Sequence, residues 1–261
     1  MTDAGAGGSQ APVRVVVIGM PGRMGMSLLR LLPEFPALRL QAAVAAAGSS
    51  AVGRDSGELA GTTPNAVLVT ADPGAALQGA GLAIDFSTAA AAPGNIRACV
   101  AARVPLLIGT TGLGPDVRTL IAEAARSIPV MAAANTSVAV AVLHDLVRTA
   151  AARLGRSFDI QVRETHHASK RDAPSGTALT LGAAAAEAAG LAPDRIGYAS
   201  TRGGDVVGDH TVLFLGAGER LSLGHSATDR SVFARGALAA GSWLARQKSG
   251  SYDVADSLRE K

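Results

Sequence analysis

The sequence predicts an α/β protein in two parts, a doubly wound parallel sheet followed by an α+β domain with a mixed, mostly antiparallel sheet. Up to about residue 135, short aliphatic runs alternate with helical stretches, which is typical of parallel strands joined by right-handed crossovers. A glycine-rich loop separates the first run from the first helical stretch. Further along, strand-like runs follow one another with short connections, as in an antiparallel or mixed sheet.

The first part is predicted from hydrophobic patterning. Residues 13–18 (VRVVVI) form a nearly continuous apolar run, which indicates a strand buried on both faces. Apolar residues then recur at helical spacing from Met24 until Pro33 breaks the pattern. Further strands are predicted at residues 38–45, 66–70, 82–86, 105–108 and 128–132, and further helices at 95–103 and 116–126.

The second part shows a different order of elements. A helix at 137–154 leads to a strand at 158–165, a polar loop and an alanine-rich helix at 175–189. Strands are then predicted at 196–202, 206–215 and 220–225, and a last helix begins at 231. We place the main domain boundary near Asn135, and we expect the C-terminal stretch to pack back on the first domain.

Composition excludes several classes of protein. Hydrophobic residues make up 48% of the 261 residues, which is enough for a core and argues against disorder. The formal net charge is only +3, so nothing points to nucleic acid. The single cysteine, Cys99, cannot form an internal disulfide, which fits a reducing cytoplasm. The first dozen residues predict a loose tail without a secretory signal, and no apolar run is long enough to predict a membrane span.

The glycine-rich loop predicts a dinucleotide site in a Rossmann-like domain. It comprises Gly19, Met20, Pro21, Gly22, Arg23 and Met24, followed by Gly25. Between a strand and a helix, such a loop brings backbone N–H groups and a helix N-terminus against a pyrophosphate. The alternative is a glycine-rich turn without a ligand. The second strand ends in alanines at 45–47, without the acid that holds an NAD ribose or an arginine for the NADP phosphate.

Polar tips follow three predicted parallel strands. They are residues 85–88 (DFST), 109–112 (GTTG) and 134–137 (ANTS). Because the carboxyl ends of parallel strands meet at one edge of a sheet, these tips could line the nicotinamide half of a cofactor. Helix capping by Thr and Ser explains any single tip equally well.

The densest chemistry lies in residues 164–177, ETHHASKRDAPSGT. Cationic side chains are followed by a Pro-Ser-Gly-Thr helix start, which exposes free N–H groups and the positive end of the helix dipole. This combination predicts a site for a small substrate with two carboxylates, with His and Lys as candidate proton donors. The alternative is a solvated basic loop before a capped helix. We predict no metal site, because adjacent histidines on a strand point to opposite faces, and we interpret His144, His210 and His225 as structural or surface residues.

These motifs together resemble one enzyme family. ETHHASKRDAPSGTA at residues 164–178 is similar to the E-x-H-H-x-x-K-x-D-A-P-S-G-T-A signature of the 4-hydroxy-tetrahydrodipicolinate (dihydrodipicolinate) reductases. GMPGRMG resembles that family's nucleotide loop, and IDFST, IGTTGL and ANTS resemble its later cofactor segments. The resemblance runs in collinear order from residue 13 to residue 244.

The resemblance implies an enzyme that uses NADH or NADPH to reduce a small cyclic dicarboxylate in diaminopimelate and lysine biosynthesis. By position, His166 corresponds to the proton donor and Lys170 to a second acid, while His167, Gly176 and Thr177 correspond to substrate-carboxylate ligands. The residues expected to hold the dinucleotide are Gly19, Met20, Pro21, Gly22, Arg23, Met24, Gly109, Thr110, Thr111, Ala133, Ala134, Asn135 and Thr136.

The resemblance also implies a cytoplasmic homotetramer, with a dinucleotide-binding domain at 13–135, a substrate-binding and oligomerisation domain at 136–230, and a C-terminal helix at 231–261. Two alternatives remain open at this point. One is a related nicotinamide-dependent amino-acid dehydrogenase, which has no need for the dense HHxxK cluster. The other is a non-catalytic dinucleotide-sensing protein, which should carry a DNA-binding helix pair or a partner-binding tail; the sequence shows neither.

Overall fold

A computed structural model describes residues 11–259, and the chain divides into two units. The first contains residues 11–131 and Leu238–Tyr252, and the second contains Ala132–Ala237 and residues 253–259. Most of the predicted N-terminal tail, residues 1–10, lies outside the described residues.

The first unit is built on a seven-stranded parallel sheet. Its strands are β1 (Val13–Ile18), β2 (Leu38–Val44), β3 (Val69–Thr70), β4 (Leu82–Asp85), β5 (Leu106–Ile108), β6 (Pro129–Ala132) and β11 (Gly250–Tyr252). They lie in the order β11-β6-β5-β4-β1-β2-β3, and β1 pairs in parallel with both β2 and β4. The chain therefore reverses its direction of winding beside β1, which is where doubly wound sheets bind ligands.

Helices connect the strands of this sheet. They are α1 (Arg23–Leu31), α2 (Ser56–Ala60), α3 (Pro73–Leu77), α4 (Ala92–Ala102) and α5 (Pro115–Ala124). Pro33 follows α1 within a short 3₁₀ turn at Leu32–Glu34, as expected of a residue that cannot donate a helical hydrogen bond. Asp55 caps α2 and Asp72 caps α3 through their carboxylates. The core is aliphatic, and Val15, Val16 and Val17 on β1 have no exposed surface.

The second unit has a mixed four-stranded sheet. Its strands are β7 (Asp159–His166), β8 (Ile196–Arg202), β9 (Gly208–Leu215) and β10 (Arg220–Ala227), in the order β10-β9-β7-β8. β9 is antiparallel to both β7 and β10, whereas β8 is parallel to β7. The predicted fold class, including the mixed and mostly antiparallel second sheet, is confirmed.

Two long helices complete the core of the second unit. They are α6 (Val138–Leu154) and α7 (Gly176–Ala189), and their apolar residues pack with Val162 on β7 and Phe214 on β9. The alanine-rich stretch of α7 supplies small buried side chains such as Ala178 and Ala185. The hydroxyl of Ser137 caps the first turn of α6, and that of Ser175 caps the first turn of α7.

The C-terminal stretch differs from the single helix expected at 231–261. Helix α8 (Ser231–Leu244) is followed by strand β11, which pairs in parallel with β6, and by the short helix α9 (Asp256–Arg259). One of the crossings between the two units falls within α8, after Ala237. β11 was not predicted because its three residues, Gly-Ser-Tyr, carry no apolar alternation.

Candidate active site

A cavity of about 440 Å³ opens at the carboxyl ends of β1, β2 and β4 in the first unit. It combines the glycine-rich loop with the ends of the neighbouring strands, at the position where this kind of sheet binds nucleotides. Its lining comprises Ile18, Gly19, Met20, Pro21, Gly22, Val44, Ala45, Ala46, Ala47, Ser49, Ala71, Pro73, Phe86, Ser87, Thr88, Ala91 and Asn95.

The glycines of the loop are required by close backbone packing. Gly19 has φ +101°, and a Cβ there would lie 2.5 Å from the carbonyl oxygen of Phe86. A Cβ at Gly22 would lie 2.8 Å from the carbonyl oxygen of Gly19. The loop can therefore turn sharply into α1, whose first amide groups have no intrahelical acceptor.

The end of the second strand carries no charge. Ala45 is buried, whereas Ala46 and Ala47 are exposed, and all three line the cavity. Arg23 and Arg54 are exposed near the loop and beyond the strand in sequence, but neither lines this cavity. The strong groups that usually distinguish NAD from NADP are therefore missing from this wall.

The strand tips at β4 and β5 bond mainly to each other. Asp85 is fully buried and accepts hydrogen bonds from the Ser87 amide at 2.7 Å and from Nδ2 of Asn95 at 2.9 Å. Thr110 is also buried, and its hydroxyl lies 3.4 Å from the Asp85 carbonyl oxygen. A Cβ at Gly109 would lie 2.0 Å from the ring of Phe86. Of the predicted segment Gly109 to Thr111, only Thr111 is exposed.

The third predicted tip, Ala133 to Thr136, belongs to the second unit. Asn135 donates from Nδ2 to the hydroxyl of Thr177 at 3.1 Å, so a predicted cofactor residue contacts a predicted substrate residue. The hydroxyl of Thr136 is buried and donates to the carbonyl oxygen of Phe233 at 2.6 Å. The hydroxyl of Thr136 is therefore used in binding the start of α8, whereas the side chain of Asn135 contacts a predicted substrate residue.

His166 ends β7 and is oriented by a buried carboxylate. Its Nδ1 lies 2.6 Å from Oε2 of Glu164, two residues earlier on the same face of the strand. Burial opposes ionisation of Glu164, but hydrogen bonds from Arg202, Ser200 and His166 outweigh it and lower the pKa to about 2. Because an ionised carboxylate can only accept, Nδ1 of His166 carries a proton and Nε2 is left for other partners.

The loop after β7 holds the other predicted cations. Nζ of Lys170 donates to both carboxylate oxygens of Asp172, at 2.7 and 2.8 Å. The hydrogen bond from Lys170 lowers the pKa of Asp172 and outweighs burial, which acts to raise it. His167 is half-buried, with Nδ1 2.8 Å from the hydroxyl of Ser169. The side chains of His166 and Lys170 thus have different carboxylate partners.

The start of α7 forms a candidate carboxylate site. Ser175 is the N-cap, and its Oγ accepts from the Ala178 amide at 3.2 Å. The amides of Gly176 and Thr177 come earlier in the first turn, where no intrahelical acceptor exists. A Cβ added at Gly176 would meet nothing within 4 Å, so there is open space beside the first residue of α7.

Sequence reasoning missed three residues of this cluster, although Glu164 stands inside the quoted motif. Arg202 on β8 forms a bidentate ion pair with Glu164, with distances of 2.6 and 2.7 Å. His210 on β9 is buried, with its ring centroid 5.1 Å from that of His166 and its Nε2 3.0 Å from Oγ of Ser175. Buried and half-buried residues alternate along β9. This alternation could have indicated that His210 points inward, but not which residues it contacts.

His210 is held neutral at physiological pH. Burial, followed by the effect of His166, lowers its pKa to about 4, although Glu164 acts in the opposite direction. Its Nδ1 is buried and has no hydrogen-bond partner among the described residues. The result is an uncharged ring packed edge-on against His166.

Residues 11–259 contain neither a cluster of metal ligands nor a membrane-spanning helix. No group of three or more His, Cys, Asp or Glu side chains there could hold a metal ion. No helix in the same range is long and apolar enough to cross a membrane.

The N- and C-terminal models of one family match this chain. "Dihydrodipicolinate reductase, N-terminus" matches residues 13–136, and "Dihydrodipicolinate reductase, C-terminus" matches residues 139–258. The chain belongs to the dihydrodipicolinate reductase family. It is similar to the 4-hydroxy-tetrahydrodipicolinate reductase of Anaeromyxobacter dehalogenans (strain 2CP-C), with 48% identity over 94% of this chain and 97% of the relative. The corresponding protein of Thiobacillus denitrificans is 44% identical over 94% of this chain and 98% of the relative.

Solved structures support the fold. The dipicolinate-bound dihydrodipicolinate reductase of Paenisporosarcina sp. TG-14 superimposes with a TM-score of 0.75 at 20% identity, covering 93% of this chain and 97% of that one. An amine dehydrogenase from Mycobacterium smegmatis gives a TM-score of 0.60 at 12% identity, covering 93% and 95% of the two chains. The dihydrodipicolinate reductase family thus shares its fold with dehydrogenases of other specificity.

Proposed function

We propose that this chain reduces 4-hydroxy-tetrahydrodipicolinate, through dihydrodipicolinate, to tetrahydrodipicolinate in the diaminopimelate route to lysine. The supporting observation is that the end of β7, the loop after it and the start of α7 carry a carboxylate-oriented histidine, a lysine and the first amides of a helix. Relatives named 4-hydroxy-tetrahydrodipicolinate reductase match over 94% of the chain. This match favours a reductase over an amino-acid dehydrogenase or a dinucleotide sensor.

The chain's own residues would supply the proton of this reduction. In the imidazolium form, His166 can donate from Nε2 while Glu164 retains the proton on Nδ1. Lys170 is 21% exposed at its side chain and would act as the second cation when a substrate carboxylate competes with Asp172. The amides of Gly176 and Thr177 would bind one carboxylate, as helix N-termini bind anions, and His167 and Lys170 would bind the other.

NADH or NADPH would bind in the cavity of the first unit and supply the hydride. The close approach of Gly19 to Phe86 and of Gly22 to Gly19 fits a dinucleotide-binding loop, because a Cβ at either position would collide with the backbone and prevent the sharp turn. Within the loop, Met20 and Pro21 would line the adenosine side and the amides of Arg23 and Met24 would face the pyrophosphate. Of the later residues expected to hold the dinucleotide, Thr111, Ala133, Ala134 and Asn135 are exposed or half-buried and are the better candidates, whereas Gly109, Thr110 and Thr136 are buried.

We also propose a cytoplasmic homotetramer. The domains would be 13–135 for the dinucleotide and 136–230 for substrate and assembly, with the C-terminal stretch returning to the first. On β9, Thr211, Leu213 and Leu215 alternate with buried Val212 and Phe214 and are half-buried, so this sheet face offers apolar surface to a second copy. The one cysteine, Cys99, is buried, which suits a reducing compartment. Light scattering on the purified protein tests the assembly.

The experiment that tests the activity is a coupled assay. The substrate would be made in situ by its synthase, and oxidation of NADH or NADPH followed at 25 °C with and without the protein. We expect turnover that depends on both substrate and cofactor. Absence of turnover with either cofactor, from protein with an intact circular dichroism spectrum, would contradict the proposal.

A further inference from the structure

The carboxylate of Glu164 contacts three separate parts of the proposed site. Its Oε2 lies 2.6 Å from Nδ1 of His166, and its Oε1 accepts from the Ser175 amide at 3.2 Å. Arg202 then binds both oxygens, at 2.6 and 2.7 Å. One side chain on β7 therefore links the candidate proton donor to the start of the helix that carries the candidate carboxylate site.

Arg202 extends this network to the basic loop. Its Nη2 donates to the carbonyl oxygen of Asp172 at 2.6 Å, and the carboxylate of Asp172 holds Nζ of Lys170. Arg202 stands opposite His166 in the parallel register of β7 and β8. A bidentate arginine–carboxylate pair fixes direction as well as distance, so Arg202 orients both Glu164 and the loop.

The contact between Glu164 and His166 is shielded from water. Glu164 is only 3% exposed and His166 8%, so water cannot readily replace their mutual hydrogen bond. The charged and titratable groups placed at His166 are Glu164 on β7, which Arg202 on β8 binds, and His210 on β9. Asp209 on β9 and His225 on β10 act on His210, and the Lys170–Asp172 pair lies in the loop. Of these, Glu164 is the anion in direct contact with the imidazole.

From this network we infer that Glu164 is a positioning residue for the reduction: it fixes the tautomer and orientation of His166, and Arg202 holds Glu164 in place. The inference rests on the proposed function, because it assigns His166 the proton that is transferred. When Nε2 gives up its proton, Glu164 keeps the proton on Nδ1, and the neutral ring is left with its lone pair on Nε2.

The first test is nuclear magnetic resonance of the wild-type protein with ¹⁵N-labelled histidine, with His166 assigned by comparison with His166→Asn. We expect the neutral ring of His166 to be protonated on Nδ1. A ring protonated on Nε2 would overturn the inference. This measurement needs no substrate, so it separates failure of the positioning role from failure of the proposed activity.

The second test is Glu164→Gln, which preserves shape and removes charge. We expect kcat to fall about 10²-fold, in the range that one proton-transfer group contributes, with KM changed less than about fivefold, as for an interaction that acts mainly in the transition state. A fall in kcat at nearly unchanged KM is a result that loss of a purely structural contact would not cause. Glu187→Gln, in an exposed ion pair with Arg148, is the matched control and should behave as wild type.

A double variant guards against misfolding. Glu164→Gln alone leaves Arg202 without its anion, so Glu164→Gln with Arg202→Gln provides a neutral pair. We expect the double variant to show the same loss of kcat at nearly unchanged KM as Glu164→Gln. Wild-type kcat in either folded variant would overturn the inference, and if neither folds, the tautomer measured in the wild-type protein decides it.

Discussion

His210 should make the stability of the protein sensitive to mild acid. Its pKa in the folded chain is about 4, against an ordinary value of 6.5. Between these two pH values the unfolded chain binds a proton that the folded chain does not, so the free energy of unfolding decreases as the pH falls. A difference of 2.5 pKa units corresponds to about 3 kcal/mol, present in full above pH 6.5 and lost by about pH 4.

The perturbation that isolates this effect is His210→Gln, since glutamine can still accept the hydroxyl hydrogen of Ser175 but does not titrate. Urea unfolding would be followed by circular dichroism at pH 7, 5.5 and 4, with hydrogen exchange of β9 amides reporting on the second unit. Between pH 7 and pH 4, the wild-type protein should lose about 3 kcal/mol more than the variant. His144→Gln, at a half-exposed histidine on α6, is the control and should keep the wild-type dependence. Equal pH dependence in the wild-type protein and His210→Gln would refute the reasoning.

Three further predictions concern the reaction. Lys170→Ala should lower kcat about 10²–10³-fold while leaving the Kd of NADH, measured by fluorescence, within about twofold; wild-type turnover would contradict the role of Lys170. Gly176→Val should abolish competitive inhibition by pyridine-2,6-dicarboxylate because its side chain would crowd a carboxylate bound at the start of α7. Gly94→Val, which also faces open space in the first turn of a helix, should not; inhibition that survives Gly176→Val would put the carboxylate site elsewhere. NADH and NADPH should support kcat/KM values within about tenfold of each other, since the cavity lining at the end of β2 carries neither an acid nor an arginine. Ala46→Glu, at an exposed cavity position, should favour NADH. A wild-type difference above about 100-fold would contradict this, because it would require about 2.7 kcal/mol from other residues.

Much of the architecture followed from local patterns. The apolar run of β1, the Pro33 stop and the Ser175 cap are signals within a few residues of the chain, and the structure contains β1 at the predicted residues and α1 and α7 within one residue of their predicted ends. The strand–helix alternation determined the parallel sheet because adjacent parallel strands need a crossover. The glycine loop, likewise, is predictable because its requirement for small residues is local.

The shared network of the second unit depended on the tertiary structure. Glu164 and His166 are two residues apart, but Arg202 reaches them only because β8 lies parallel to β7, and His210 only because β9 lies on its other side. The same holds for Thr136, because the sequence does not show that its hydroxyl donates a hydrogen bond to the carbonyl oxygen of Phe233. The sequence by itself determined which chemical groups the chain carries, because propensity and periodicity are local properties. Which of those groups share a proton or an ion pair was decided by strand order and register, because these bring together residues up to 97 positions apart.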